Sequence, residues 1–216
     1  MRRKFIHHIE ATMECLTGLH VGGSQDELQI GGTDLPVLKH PVTLAPYVAG
    51  SSLKGKMRAE LEKQYEKYGG RDRTEPCGCA EPDCPVCRVF GPHKRADHHL
   101  GPTRLMVRDG HLAEGGQIEI KTENVINRRT GAAEHPRQLE RVASGAKFRV
   151  QMVVHVYDLD DSFRFENKQG REAVLGVVRE GLELVEKTGL GAATSRGSGH
   201  IRFTELKLDG QPWNLA

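Results

Sequence analysis

Four thiols fall within eleven residues, as Cys77-x-Cys79-x4-Cys84-x2-Cys87, with Pro76, Pro82 and Pro85 stiffening the turns between them. Soft sulfur ligands at this spacing suit a tetrahedral zinc ion. Four thiolates would fill every coordination position, so a metal held this way staples its segment and cannot activate water. His93, His98 or His99 follow closely enough to replace one thiol, and an incidental cysteine-rich loop is the alternative reading. The fifth cysteine, Cys15, stands in an apolar alternation and reads as a core residue. This distribution suits a metal site in a reducing compartment better than a disulfide framework.

A second set of residues is suited to phosphate. Gly50-Ser51-Ser52-Leu53-Lys54-Gly55-Lys56-Met57-Arg58 places a small-residue turn before a helix whose first turns carry cations, and helix N-termini attract anions. The order is not that of a phosphate-binding loop of nucleotide hydrolases, so nucleotide hydrolysis is unsupported. An ordinary helix with a solvated charged face explains the same residues. The glycine-rich run from Gly189 to Gly199 lets a polymer backbone approach closely, and Arg196 within it can pair with a phosphate; a plain linker is the bland alternative. Between 117 and 145 the chain is polar and rich in arginine, with Arg128, Arg129, Arg137 and Arg141. Asp34, in a loop of small residues, could bind a divalent ion or help activate a ribose hydroxyl, although turns favour aspartate for purely local reasons. His20 follows a strand and invites the same caution.

These residues need elements to position them. Alternation over 5–15 and again over 148–156 predicts two half-buried strands. Leu53, Met57, Leu61 and Tyr65 recur at helical spacing, predicting a helix over about 52–67 with a serine N-cap and a stop at Gly69-Gly70. Val174, Val177, Val178, Leu182 and Val185 predict a second helix over about 171–187, ended by Gly189. Short strands are expected at 103–109 and 200–208, the last ending near Trp213. Gly18 to Pro46 reads as a long loop, 71–99 as an insert, and 117–145 as a projecting hairpin or arm. Strand, helix, strands, helix, strand is a ferredoxin-like order of the α+β class.

The 216 residues fit one domain with insertions. With 31 Lys plus Arg against 29 Asp plus Glu, the formal charge of +2 is too small to announce a nucleic-acid partner, so local clustering must decide. No apolar run approaches the roughly 20 residues of a membrane span, and the basic start leads into no signal-like core. A cytoplasmic protein without a membrane partner is expected.

In chain order, Gly18-Leu19-His20-Val21-Gly22-Gly23, Asp34-Leu35-Pro36-Val37 and the Gly50 to Arg58 segment resemble the repeated backbone subunit of type III-A (Csm-type) CRISPR effector complexes, in the RAMP superfamily. Glu123-Asn124-Val125-Ile126-Asn127-Arg128, Pro136-Arg137-Gln138-Leu139-Glu140-Arg141 and Gly197-Ser198-Gly199-His200 extend the resemblance over most of the chain outside the cysteine insert. It implies a single RAMP domain over 1–216 with an RRM-like ferredoxin core, a zinc-binding insert at 71–99 and a thumb at 117–145. It further implies partners: guide CRISPR RNA, single-stranded target RNA, copies of the chain itself and other effector subunits. Asp34 falls where the family carries the aspartate needed for cutting target RNA with a divalent cation such as magnesium, through attack of a 2′-hydroxyl. Lys54 and Arg58 fall on the motif that holds guide phosphates, and His20, Ser51, Ser52, Lys56, Arg128, Arg137, Arg141 and Arg196 belong to the same expected RNA track. A guide-binding scaffold that cuts nothing, and a stand-alone RNA-processing endonuclease, are the competing readings. The four-cysteine insert is closer to zinc-bearing relatives in other type III branches.

Overall fold

The computed structural model describes residues 1–22 and 35–215. In chain order its elements are β1 (Arg3–Cys15), β2 (Tyr47–Val48), α1 (Gly50–Gln64), β3 (Tyr68–Gly69), β4 (Glu75–Pro76), α2 (Pro85–Phe90), β5 (Leu105–Val107), β6 (Gly110–Glu114), β7 (Ile118–Ile126), β8 (Ala133–Val142), β9 (Lys147–Tyr157), β10 (Arg164–Phe165), β11 (Lys168–Gln169), α3 (Arg171–Thr188), β12 (Ile201–Leu208) and β13 (Gln211–Pro212). The main sheet runs β13-β12-β1-β9-β6-β2, with β5 also on β9. The pairs of β1 with β12 and β9, and of β9 with β5 and β6, are antiparallel.

The alternation in sequence becomes one buried face. Ile9, Ala11, Met13 and Cys15 of β1 are buried beside Phe148, Val150, Met152, Val154 and Val156 of β9. The residues between them on β1, from Ile6 to Glu14, are exposed or half-buried. Leu53, Met57 and Leu61 of α1 and Val174, Val177, Val178, Leu182 and Val185 of α3 complete that core. Each such side chain contributes about 1.5–3 kcal/mol when fully buried. Gly181 allows the two helices to cross closely, since a Cβ there would stand 3.1 Å from Met57 Cε.

Three local expectations are corrected. The first helix spans Gly50–Gln64, not 52–67, and its N-cap is Ala49, which makes no side-chain bond. The serines therefore lie inside the helix, and the Gly50 N–H donates instead to Asp109 Oδ1 at 2.7 Å. A carboxylate from a distant turn does what the local serine was expected to do. The strand expected at 103–109 is shortened to Leu105–Val107, because the ladder to β9 is interrupted at Arg108-Asp109 and resumes in the same direction as β6. The polar 71–99 segment, expected as an insert apart from the core, contributes to it: Val86, Val89 and Phe90 of α2 are buried in the common core.

A buried ion pair, not foreseen from sequence, joins the chain before β5 to the turn after β9, and Arg88 of α2 stands 3.5 Å from the same carboxylate. Arg104 and Asp160 have fully buried side chains, and Arg104 donates to the carboxylate through Nε at 2.9 Å and Nη2 at 2.7 Å. Arg104 also donates to the carbonyls of Leu100, at 2.7 Å, and Pro102. Asp160 in turn accepts from the Tyr157 N–H at 2.9 Å.

Candidate functional site

The cysteine turn is built by α2 and the loop before it. Cys84 is the N-cap of α2 and its sulfur accepts from the Cys87 N–H. The four sulfurs lie within 4.8 Å of one another, with Cys77 to Cys84 at 3.9 Å, Cys79 to Cys87 at 3.8 Å and Cys77 to Cys87 at 3.6 Å. Sulfurs bound at about 2.3 Å from a tetrahedral ion stand about 3.8 Å apart, so the cluster has the dimensions of a four-thiolate metal centre. Among the described residues the group contains cysteines only; none of His93, His98 and His99 joins it. Burial pushes the Cys77 thiol up to about 11, a cost that a bound cation would remove by favouring the thiolate.

The cluster is locked to α1 by Arg58. Its Nη2 donates to the Cys77 carbonyl at 2.7 Å and its Nε to Glu62 Oε1 at 2.8 Å, while the same Glu62 oxygen accepts the Cys77 N–H at 2.8 Å. Lys54 also points inward, donating to the Leu105 carbonyl at 2.7 Å, and burial with Arg58 nearby lowers its pKa. Lys56 pairs with Glu60 at 2.7 Å. Ser51 is exposed and Ser52 half-buried at the same helix end. The structure thus groups these residues around α1 and the cysteine turn.

A different place gathers the remaining cations. β7 and β8 pair as a long hairpin, from Ile118 opposite Val142 to Ile126 opposite Ala133. Its base is bonded to the segment after β1, through Leu19 and Val142 and through Leu35 and Leu139. The 189–199 loop packs against the same base: the Ala192 N–H donates to the His20 carbonyl at 2.9 Å and the Gly199 N–H to the Gly18 carbonyl at 2.9 Å. Gly18 lies directly under the hairpin's ion pair, since a Cβ there would stand 2.6 Å from Arg141 Nε and displace that side chain. Between loop and hairpin lies an open cleft of about 440 Å³ lined by Lys121, Glu123, His135, Arg137, Arg196 and Leu35, among others.

Charge in this cleft is organised around Glu123. Lys121 stands 3.0 Å from it and Arg196 Nε 2.8 Å, and Lys121 also donates to the Arg196 carbonyl at 2.7 Å. These cations hold Glu123 below the usual carboxylate range, the Lys121 hydrogen bond foremost. Lys121 and His135, which the sequence reading did not single out, share the cleft with Arg137 and Arg196. Arg141 lies beside it, paired with Glu119 at 2.5 Å and donating to Ser198 Oγ at 3.2 Å. Arg128 is exposed in the turn at the hairpin tip. His20 is buried, with Nδ1 donating to the Glu140 carbonyl at 2.7 Å, and so supports the cleft from below. Asp34 lies outside the described residues; its neighbour Leu35 lines the cleft. Lys54, Lys56 and Arg58 do not.

Residues 12–202 match the family model of the RAMP superfamily. The chain is similar to the CRISPR system Cms endoribonuclease Csm3 of Methanothermobacter thermautotrophicus, 36% identical over 98% of this chain and 89% of the relative. The protein of that name from Streptococcus thermophilus is 36% identical over 88% of this chain and 84% of its own length. Among solved structures, the crystal structure of the Csm3-Csm4 subcomplex in the type III-A CRISPR-Cas interference complex aligns with TM-score 0.61 at 26% identity, covering 96% of this chain and 79% of that one. A chain of the type III-B Cmr-beta complex bound to cognate target RNA aligns with TM-score 0.62 at 15% identity, covering 94% and 61%, a likeness of fold.

Proposed function

The chain belongs to the RAMP superfamily, and from that premise we propose that it is a repeated guide-RNA-binding backbone subunit of a type III CRISPR effector complex that cuts the paired target RNA. The observation that carries this reading is the cleft between the 189–199 loop and the β7–β8 hairpin, where Lys121, Arg137 and Arg196 meet beside Leu35. Its partners are guide RNA, target RNA, copies of itself and the other effector subunits, and assembly around RNA implies a cytoplasmic location. No helix among the described residues is long and apolar enough to cross a membrane.

Sequence selection belongs to base pairing, and the protein reads backbone and A-form shape. Lys121, Arg137 and Arg196 hold phosphates in the cleft, while the hairpin, acting as a thumb, displaces nucleotides from the stack. A displaced target nucleotide can place its own 2′-hydroxyl in line with the adjacent phosphate, and this proximity supplies much of the rate. The hydroxyl oxygen bonds to phosphorus, the 5′-oxygen leaves, and the products are a 2′,3′-cyclic phosphate and a 5′-hydroxyl. Asp34 is assigned to that hydroxyl by its family motif. A divalent ion assisting the cut needs hard oxygen ligands. Among the described residues lining the cleft Glu123 is the one carboxylate, and it is paired with Lys121 and Arg196.

Two finer readings accompany this. The antiparallel order with β12 beside β1, β1 beside β9, and β5 and β6 beyond supports a ferredoxin-like, RRM-like core. The spacing of the four sulfurs supports a structural zinc held by Cys77, Cys79, Cys84 and Cys87. The test of the cutting role is Asp34→Ala in the assembled complex: target RNA should stay bound and uncut, and undiminished cutting would leave a binding scaffold as the better description.

A further inference from the structure

A second basic cleft, of about 320 Å³, lies where the start of β1, the β12–β13 turn and the first half of α3 meet. It is separated from the Arg196 loop by most of the length of β1, about 25 Å at roughly 3.3 Å per residue. His7 lines it with a side chain only 9% exposed. Its Nδ1 is held by Asp209 Oδ2 at 2.6 Å, and Asp209 is fixed in turn by the His8 N–H at 2.8 Å. The other ring nitrogen, Nε2, is buried and has no hydrogen-bond partner.

Arg179 lines the same cleft and shares that deficit. Its guanidinium lies over the Trp213 ring, 5.1 Å from the centroid, and its Nε is also buried without a partner. Arg171 is stacked in the same manner on Phe5, at 5.2 Å, with Glu172 at 2.8 Å. An aromatic face orients a guanidinium and leaves its N–H edge free to meet an acceptor. Lys168 completes the set, and Gly176 makes room for it, since a Cβ there would stand 3.3 Å from its Cδ. Lys168, Arg171 and Arg179 thus bring three cations to a lining with two carboxylates, Glu172 and Asp209, both of which already have partners; Lys168 also stands 3.5 Å from Glu166, which is exposed outside the lining.

Buried polar atoms are ordinarily paired, and an orphan facing a cleft points to a ligand that supplies the missing partner. Here two orphans, on an imidazole and a guanidinium, share one cleft with surplus positive charge. We propose that this cleft is a phosphate-binding site, distinct from the RNA-holding cleft, in which an oxyanion accepts hydrogen bonds from Arg179 and Lys168, and from His7 Nε2–H in the imidazolium form, whose Nδ1–H is donated to Asp209. The phosphate group can belong to a free small molecule or to a polynucleotide backbone.

The test is titration of the purified full chain with inorganic phosphate at constant ionic strength balanced with chloride, followed by thermal stability and by the His7 side-chain nitrogen resonances. Phosphate should give a saturable rise in melting temperature that chloride does not, with a shift at His7 Nε2. Lys168→Gln and Arg179→Gln should each weaken phosphate binding by roughly tenfold, as loss of a charge-assisted hydrogen bond does. Lys168 is partly exposed, so its variant remains informative if the Arg179 variant is less stable. A short 5′-phosphorylated RNA that competes with phosphate identifies a polynucleotide as the source; failure to compete identifies a small molecule. A response no greater than that of chloride, or one unchanged in both variants, overturns the proposal.

Discussion

His20 Nδ1 stands 2.7 Å from the backbone carbonyl of Glu140, joining the segment after β1 to the base of the β7–β8 hairpin. Glu140 also holds the segment from Leu35 to Lys39. Its N–H donates to the Leu35 carbonyl at 3.0 Å, and its Oε2 accepts from the Val37 N–H at 3.1 Å and Lys39 at 3.2 Å. One residue therefore fixes both His20 and the 35–39 segment to the hairpin that lines the cleft.

Removing that carboxylate strands a backbone N–H and a cation. Glu140→Ala should cost about 1–3 kcal/mol of stability and slow target cutting in the assembled complex more than it weakens target binding. Urea denaturation and single-turnover cutting measure the two effects separately.

Arg137 and Arg196 line the cleft, whereas Lys54 is turned toward the Leu105 carbonyl. Arg137→Ala and Arg196→Ala should each weaken RNA binding and reduce the slope of log affinity against log salt by about 1. Lys54→Met should leave that slope unchanged and show its effect in stability instead. Filter binding over a salt series distinguishes them.

Arg104 and Asp160 are fully buried, so breaking the pair leaves an uncompensated charge. Asp160→Ala should destabilise the chain by about 3–5 kcal/mol, with Arg104→Met milder because Asp160 keeps its bond to the Tyr157 N–H. Chemical denaturation of both variants gives the comparison.

The sulfur spacing predicts about one zinc per chain by elemental analysis. Cys84→Ser or a strong chelator should release it and loosen 71–99, read as increased amide exchange there. Because Arg58 bonds the Cys77 carbonyl, protection in the second half of α1 should fall as well.

How far the sequence discloses this arrangement depends on the range of the interaction. Alternation in β1 and β9 and the apolar stripe of α3 reveal the core elements directly, because periodicity is local. The cysteine spacing likewise announces its cluster. The capping of α1 by Asp109 and the pairing of Arg104 with Asp160 join residues 59 and 56 positions apart, and no local pattern marks them. The RNA track is divided for the same reason. Lys54 and Arg58 resemble phosphate ligands in sequence, yet folding turns them toward the Leu105 and Cys77 carbonyls. Lys121 and His135 enter the cleft only because the hairpin folds onto the 189–199 loop.

The most direct test is photocrosslinking of guide and target RNA carrying thiouridine within the assembled complex, with the modified peptides identified by mass spectrometry. Crosslinks should concentrate in 121–139 and 189–199, on the two walls of the cleft. Efficient crosslinking confined to other surfaces, with none on either wall, would contradict the account.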